Sequence, residues 1–342
     1  MDLLNLLQKL SQTDAPSGFE TPMATLAAEL LKPYADEVRI DTLGNIVALS
    51  RSGKPNAKRV VIDAHIDEIG FIVTGHSGGF LRFASLGGID PRLLPATAVK
   101  ILTEPPIVGI VDVLPPHVQA AGDSDKALKI ADLYIDTGLS AEDAERLVPI
   151  GTAAVPMTEP VMLGEFFGGK AMDDRACFAA IVLALQELGD TKLDVDLLIC
   201  ATTQEEVGLR SAASAAFDFA PDYALIVDVD FAKSPDSKPH QGKALGSGVV
   251  IARGMNMNRD LVDKIIDVAK RGEIPCTITV EPGGNSGTNA KVLQTVRGGV
   301  ATALLSVPLR YMHTPTETLS LRDIEALGHL LCKTLTEVDF YA

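Results

Sequence analysis

The stretch Arg59-Val60-Val61-Ile62-Asp63-Ala64-His65-Ile66-Asp67 decides the fold. A short β-branched run ends on an imidazole and, two residues later, a carboxylate. The pattern recurs along the chain. Leu197-Leu198-Ile199-Cys200-Ala201-Thr202-Thr203 leads into Gln204-Glu205-Glu206, and Ala224-Leu225-Ile226-Val227 leads into Asp228-Val229-Asp230. Thr302-Ala303-Leu304-Leu305-Ser306-Val307 shortly precedes His313. Runs of this length, alternating with helical patterns, read as buried parallel strands of an α/β protein. In open α/β sheets, ligands bind outside the carboxyl ends of such strands. A fifth segment, Gly168-Gly169-Lys170-Ala171-Met172, reads as a loop, after which Asp173 and Asp174 open an apolar helix. Separate segments therefore bring His and carboxylate groups to one rim, which points to a site for two metal ions and to hydrolysis.

Around this frame, the first third shows helical spacing through about Leu10 and again from Pro22 to Leu31. Val38 to Ile40 and Asn45 to Leu49 read as a hairpin at a sheet edge. From about Gly70 to Leu163 the texture changes to short β-branched pieces broken by Gly-Gly and Pro-Pro, with one helical pattern from Ala141 to Leu147. The expected organisation is an α/β catalytic domain over 1–69 and 164–342, with a mixed, largely parallel sheet flanked by helices. A small β-rich domain is inserted over 70–163. Ser234 to Gly242, rich in Pro, Ser and Lys, reads as a flexible loop.

A chain of 342 residues suits one large domain with an insertion. With 46% hydrophobic and 22% charged residues it is an ordinary globular composition. A net charge of −15 argues against nucleic acid and anionic membranes as partners, since both reward a basic face. The cysteines Cys177, Cys200, Cys276 and Cys332 are scattered without C-x-x-C pairing, as buried thiols of a reducing compartment would be. The N-terminal spacing is that of an amphipathic helix rather than a leader, and no stretch approaches the ~18 apolar residues of a membrane span. A cytoplasmic location is expected.

Each metal-capable element also has a plainer reading. His65-x-Asp67 could be a surface pair at a strand end; as a ligand, His65 would have Asp67 on the same face to orient its ring. Asp173 could merely cap a helix, but two adjacent aspartates exceed what a cap needs, and one can bridge two cations. Glu205 and Glu206 could be a solvated pair at a helix start. At the end of an apolar strand they would repel unless a cation or a shared proton intervened, which suggests one as ligand and one as base. Asp228 and Asp230 share a face, so either could be a ligand. With Asp173 bridging, one ion would have His65 and the Asp228 position, and the other Glu206 and His313. Oxygen and nitrogen donors favour zinc, cobalt or manganese. His76, His117, His240 and His329 lack a matching context and read as structural or surface residues.

The order His-x-Asp, Asp-Asp-Arg, Gln-Glu-Glu-Val-Gly, Asp-Val and Arg-Tyr-x-His-Thr-Pro resembles the co-catalytic metallo-aminopeptidases of the glutamyl aminopeptidase and tetrahedral aminopeptidase group. The likeness runs nearly end to end, from Ala15-Pro16-Ser17-Gly18-Phe19-Glu20 to the closing helix. It implies His65, Asp173 (bridging), Glu206, Asp228 and His313 as ligands of two divalent ions, zinc or cobalt foremost. It implies Glu205 as general base and Asp67 as the partner of His65, and it selects Asp228 over Asp230. It also implies a PDZ-like inserted domain that makes dimers, which assemble into tetrahedral dodecamers, and short peptides as substrates trimmed from the N-terminus. Two departures bear on side-chain preference. Asn289 stands where many relatives carry Asp, which removes a charge expected near the substrate, and Asp230 stands where relatives often carry Thr. The rival readings are a metal-dependent deacetylase or carboxypeptidase, and a non-catalytic scaffold. An endoglucanase activity is disfavoured, since glycoside hydrolysis normally needs two free carboxyls and no metal.

Overall fold

A computed structural model describes residues 2–115, 118, 127–235, 237–238, 242–281 and 287–341. The strands are β1 (Glu37–Ile40), β2 (Ile46–Ser50), β3 (Arg59–His65), β4 (Gly70–Ser77), β5 (Phe80–Leu86), β6 (Thr97–Ile101), β7 (Ile107–Asp112), β8 (Tyr134–Asp136) and β9 (Ala153–Pro156). They continue as β10 (Val161–Leu163), β11 (Phe166–Gly169), β12 (Asp196–Thr202), β13 (Tyr223–Phe231), β14 (Val249–Gly254), β15 (Cys276–Glu281), β16 (Ala301–Arg310) and β17 (Glu317–Ser320). The helices are α1 (Leu3–Gln12), α2 (Thr21–Leu31), α3 (Ala141–Leu147), α4 (Met172–Leu188), α5 (Ala212–Phe217), α6 (Arg259–Arg271), α7 (Ala290–Leu293) and α8 (Leu321–Glu337).

Among the described residues these strands form two sheets. An 11-stranded mixed sheet runs β1-β2-β12-β3-β13-β16-β17-β11-β10, with β14 and β15 branching from β16. Its centre is parallel: β12 and β13 flank β3, and β16 lies parallel to β13. These strands are nearly wholly buried, as their unbroken apolar runs require, because helices cover both faces. The β1–β2 hairpin does lie at an edge, β2 pairing antiparallel with β12. Helices α4 and α8 approach closely at Gly328, where a Cβ would stand 3.0 Å from Leu183 Cβ and 3.1 Å from Ala180 O.

The other sheet closes into a barrel, β4-β5-β8-β7-β6-β9, over its own core of Phe71, Phe83, Val99, Val111 and Ile135. Strand β10 does not belong to it; β10 pairs with β11 in the large sheet. The barrel leaves the large sheet just after β3 and returns before β11, so its chain ends meet the rim that β3 points towards.

Two local expectations change. Gly168 and Gly169 are not loop residues but the end of β11, paired with Thr318 and Glu317. A Cβ at Gly169 would stand 2.7 Å from Ser11 Oγ, so glycine is required for that strand to pass α1. Asp173 and Asp174 have non-helical backbone angles (φ −78°, ψ 106° and φ −114°, ψ 21°) at the mouth of α4, and the peptide between them is cis. Of Ser234 to Gly242, residues 236 and 239–241 lie outside the described residues, as do His117 and His240. No helix among the described residues is long and apolar enough to cross a membrane.

Candidate metal centre

Strands β3, β12 and β13 end side by side, so His65, Glu205, Glu206 and Asp228 share one rim. The mouth of α4 brings Asp173 to it, and the turn after β16 brings His313. All six line one cavity of about 420 Å³. Asp173 stands at the centre: its Oδ1 lies 3.1 Å from His65 Nε2, and its Oδ2 lies 3.3 Å from His313 Nε2. The same His313 nitrogen is 3.2 Å from Glu206 Oε2. Donor atoms of His65, Asp173 and Glu206 lie within 4.8 Å of one another, as do those of His65, Asp174 and Asp228. Every residue expected at the centre is thus brought together, and buried Asp174 joins them.

Behind the rim, two buried carboxylates hold backbone. Asp67 accepts from Glu205 N at 3.1 Å, Glu206 N at 3.2 Å and Ser17 Oγ at 2.6 Å, and its Oδ1 lies 3.4 Å from His65 Nδ1. Glu317 accepts from Asp173 N and from His313 N, each at 3.0 Å. Deeper still, Glu68 takes Lys170 Nζ at 2.7 and 2.6 Å and Arg175 Nη2 at 3.3 Å, while Arg175 donates to the carbonyls of Ile66, Leu10 and Thr13. This network locks the chain on both sides of the rim.

The charges are uneven. Burial raises Glu205 to about 9; His65 opposes the shift, and Asp228, Asp173 and Glu206 add to it. Burial and the neighbouring Asp173 raise Asp228 to about 8. Burial also raises Asp174 well above the carboxylate range, with Asp228 reinforcing it, while Asp174 Oδ1 has no hydrogen-bond partner. Burial opposes charge on His65, but Glu205, Asp173 and Asp67 outweigh it and lift the imidazole well above its ordinary value. Hydrogen bonds to Asp173 and Glu206 raise His313 to about 11. Asp173 moves the other way, because its two imidazole partners outweigh its burial. A buried excess of carboxylates, strained towards protonation and sharing an unpartnered oxygen, is the setting a divalent cation relieves. The donor set fits zinc, cobalt or manganese.

Sequence reasoning missed Glu317, Glu68, Ser17 and the cavity-lining Thr279 and Glu281. Glu317 lies four residues after His313, a spacing that could have drawn attention to it. On β15, Thr277-Ile278-Thr279-Val280-Glu281 alternates cleanly, but the polar residues Thr279 and Glu281 line the cavity while Ile278 and Val280 are exposed. Asn289 lies off the cavity wall; it is buried and donates to Asp63 Oδ2 at 2.8 Å and Thr202 Oγ1 at 3.0 Å. An aspartate there would confront Asp63, so the departure at 289 concerns the interior. His76 donates from Nε2 to Val148 O (2.8 Å) and His329 pairs with Glu187 (2.7 Å), both away from the centre.

Residues 44–330 match the family model for M42 glutamyl aminopeptidases. The chain is 37% identical to a lysyl aminopeptidase of Pyrococcus furiosus, over 98% of each chain. It superposes on a TET aminopeptidase from the marine sediment archaeon Thaumarchaeota archaeon SCGC AB-539-E09 with a TM-score of 0.92, at 32% identity over 99% of this chain and 97% of that one. A Pyrococcus horikoshii TET1 peptidase that can assemble into a tetrahedron or a large octahedral shell matches with a TM-score of 0.86 at 32% identity, over 98% and 100%. The chain belongs to the M42 glutamyl aminopeptidase family, a family of metal-dependent peptidases. It is an aminopeptidase, a hydrolase of peptide bonds.

Proposed function

We propose that this aminopeptidase releases N-terminal residues from short peptides at a centre for two divalent cations, zinc or cobalt foremost. His65 and Asp228 would hold one, Glu206 and His313 the other, with Asp173 shared. The observation that carries this reading is the opposed pair of Asp173 oxygens, one towards each histidine. When bound, two such cations supply Lewis acidity, which acidifies the attacking water and polarises the scissile carbonyl. Glu205 is the general base: its carboxylate accepts no hydrogen bond among the described residues and lines the cavity beside Asp173. It takes the water's proton and returns it to the leaving amine. Asp67 orients His65 and fixes the backbone from which Glu205 projects.

Glu205→Gln should retain both metals by elemental analysis while turnover drops by about 10²–10⁴. A fully active variant would overturn the base assignment. Chelation should abolish hydrolysis and zinc or cobalt restore it, and N-acetylated peptides should be refused, which separates this reading from a deacetylase. We further infer that the barrel unit from β4 to β9 is a PDZ-like self-association domain building dimers and tetrahedral dodecamers. Exposed Val108 and Ile110 on the outer face of β7, and the tetrahedra formed by the P. horikoshii relative, support that reading. Light scattering that returned a monomer mass would count against it. Free cysteines, three of them buried, support a reducing cytoplasmic location.

A further inference from the structure

The cavity extends well past the metal-ligand candidates. From Asp228 on β13 it crosses β16 at Leu304 and Ser306 and β14 at Ala252, and reaches Thr279 and Glu281 on β15. Asp230, two residues beyond Asp228 and on the same face of β13, also lines it. Phe231, Leu304 and Met312 give this extension apolar wall. None of the described lining residues is Lys or Arg.

Asp230 and Glu281 are half-buried carboxylates that share a single cation among the described residues. Asp230 accepts from Phe231 N at 2.7 Å through Oδ1, which leaves Oδ2 uncommitted by that bond. Among the described residues, the cation that acts on both is Lys243, and its ammonium hydrogen-bonds the neutral hydroxyl of Thr279 at 3.4 Å. Two carboxylates therefore face one ammonium, in a cavity whose approach is apolar. A substrate side chain that enters with an apolar stem and a cationic tip matches both features. An acidic side chain would meet like charge, and a neutral one would leave two half-desolvated carboxylates with one ammonium between them.

We propose that Asp230 and Glu281 form the subsite for the N-terminal side chain, and that it selects peptides beginning with lysine or arginine. The inference rests on the aminopeptidase reading, because only there does the side chain beside the scissile carbonyl and free amine enter this cavity.

The test uses the metal-loaded enzyme and aminoacyl reporters of lysine, arginine, norleucine and glutamate. Norleucine copies the lysine stem without its charge. The kcat/KM for lysine and arginine should exceed that for norleucine roughly tenfold or more, with glutamate lowest. Raising the salt should narrow the gap. In Asp230→Asn/Glu281→Gln the ratio of lysine to norleucine should fall to about one. Glu281→Gln alone, on a strand carrying no ligand candidate, should lower the ratio in the same direction even where Asp230→Asn disturbs metal loading. A wild type that cleaves norleucine as well as lysine, or prefers glutamate, overturns the subsite and leaves the aminopeptidase reading standing; so does a double variant with an unchanged ratio. Failure on every free-amine reporter by fully loaded enzyme overturns the aminopeptidase reading, and the subsite with it.

Discussion

Glu317 offers the sharpest perturbation of the rim, because one buried carboxylate accepts from two backbone N–H groups that carry metal-ligand candidates. Its Oε2 takes Asp173 N and its Oε1 takes His313 N, each at 3.0 Å. Glu317→Gln is nearly isosteric, yet an amide has one acceptor oxygen where the carboxylate has two. One N–H must therefore face an NH₂ group. A hydrogen bond to a charged group contributes about 1.5–3 kcal/mol, and a buried donor left unsatisfied costs about 1–3 kcal/mol. The expected loss is thus roughly 2.5–6 kcal/mol, borne by the two segments whose positions define the centre. Part of it should appear as weakened metal affinity, roughly 10–100-fold, as for partners that orient ligands. Competition against a chromophoric chelator measures this directly, and kcat at saturating metal shows whether the reloaded centre still works. Glu317→Ala should be worse, since it strands both N–H groups. Unchanged metal affinity in both variants would refute the argument that backbone grip, rather than the ligands themselves, holds Asp173 and His313 in place.

Glu68→Gln should unfold at markedly lower denaturant, by about 3–5 kcal/mol, because it removes the carboxylate shared by buried Lys170 and Arg175 and leaves Lys170 only Asp14, at 3.3 Å; Arg51→Gln, which breaks an exposed pair with Glu37, should leave the midpoint unchanged. Asp323 is pushed up to about 6 by burial, against the N–H groups of Gly246 and Gly248 that it accepts. Charge on it is disfavoured in the fold, so its contribution to stability should fall as pH rises from the ordinary carboxylate range through about 6. Asp323→Asn should flatten the pH profile of the unfolding midpoint over that window, and an unaltered profile would contradict the assignment. Gly87→Ala places a Cβ at φ +82°, 2.9 Å from Ile69 Cγ2 and 3.2 Å from Glu206 Cβ, and should weaken metal loading. Gly164→Ala, at φ +67° with nothing within 4 Å, should carry the backbone cost alone and leave loading intact.

The catalytic sheet was legible because its strands are buried on both faces, so burial writes itself into sequence as unbroken apolar runs. The residues that end those runs were legible for the same reason, since polar groups at the end of a buried strand need a purpose. What escaped was whatever depends on a partner distant in sequence. Gly168 and Gly169 look like a turn until α1 is seen to pass so close that only glycine fits. Asn289 looks like a cavity residue until Asp63 is found beneath it. On β15 the alternation was visible, but an edge branch need not turn its apolar side inward; here Thr279 and Glu281 face the cavity and Ile278 and Val280 face out. Alternation fixes two faces without saying which is which.

The rim also shows why ligand candidates from five segments can be placed without a strand ladder to hold them. Past the end of a strand, backbone N–H groups lose their ladder partners and still need acceptors when buried. A carboxylate has two oxygens and can satisfy two such groups at once. Asp67 does so for Glu205 and Glu206, and Glu317 does so for Asp173 and His313. Each pair of functional side chains is therefore positioned through its backbone, which leaves the side-chain oxygens and imidazoles turned towards the cavity. The barrel reaches the same place by a different route. Its first hairpin ends at Gly87 and Gly88, where a Cβ on Gly88 would lie 3.1 Å from His313 Nδ1 and one on Gly87 3.2 Å from Glu206 Cβ, so the turn that follows β5 packs against two of the ligand candidates. A shift of that turn would therefore act on His313 and Glu206 by direct contact.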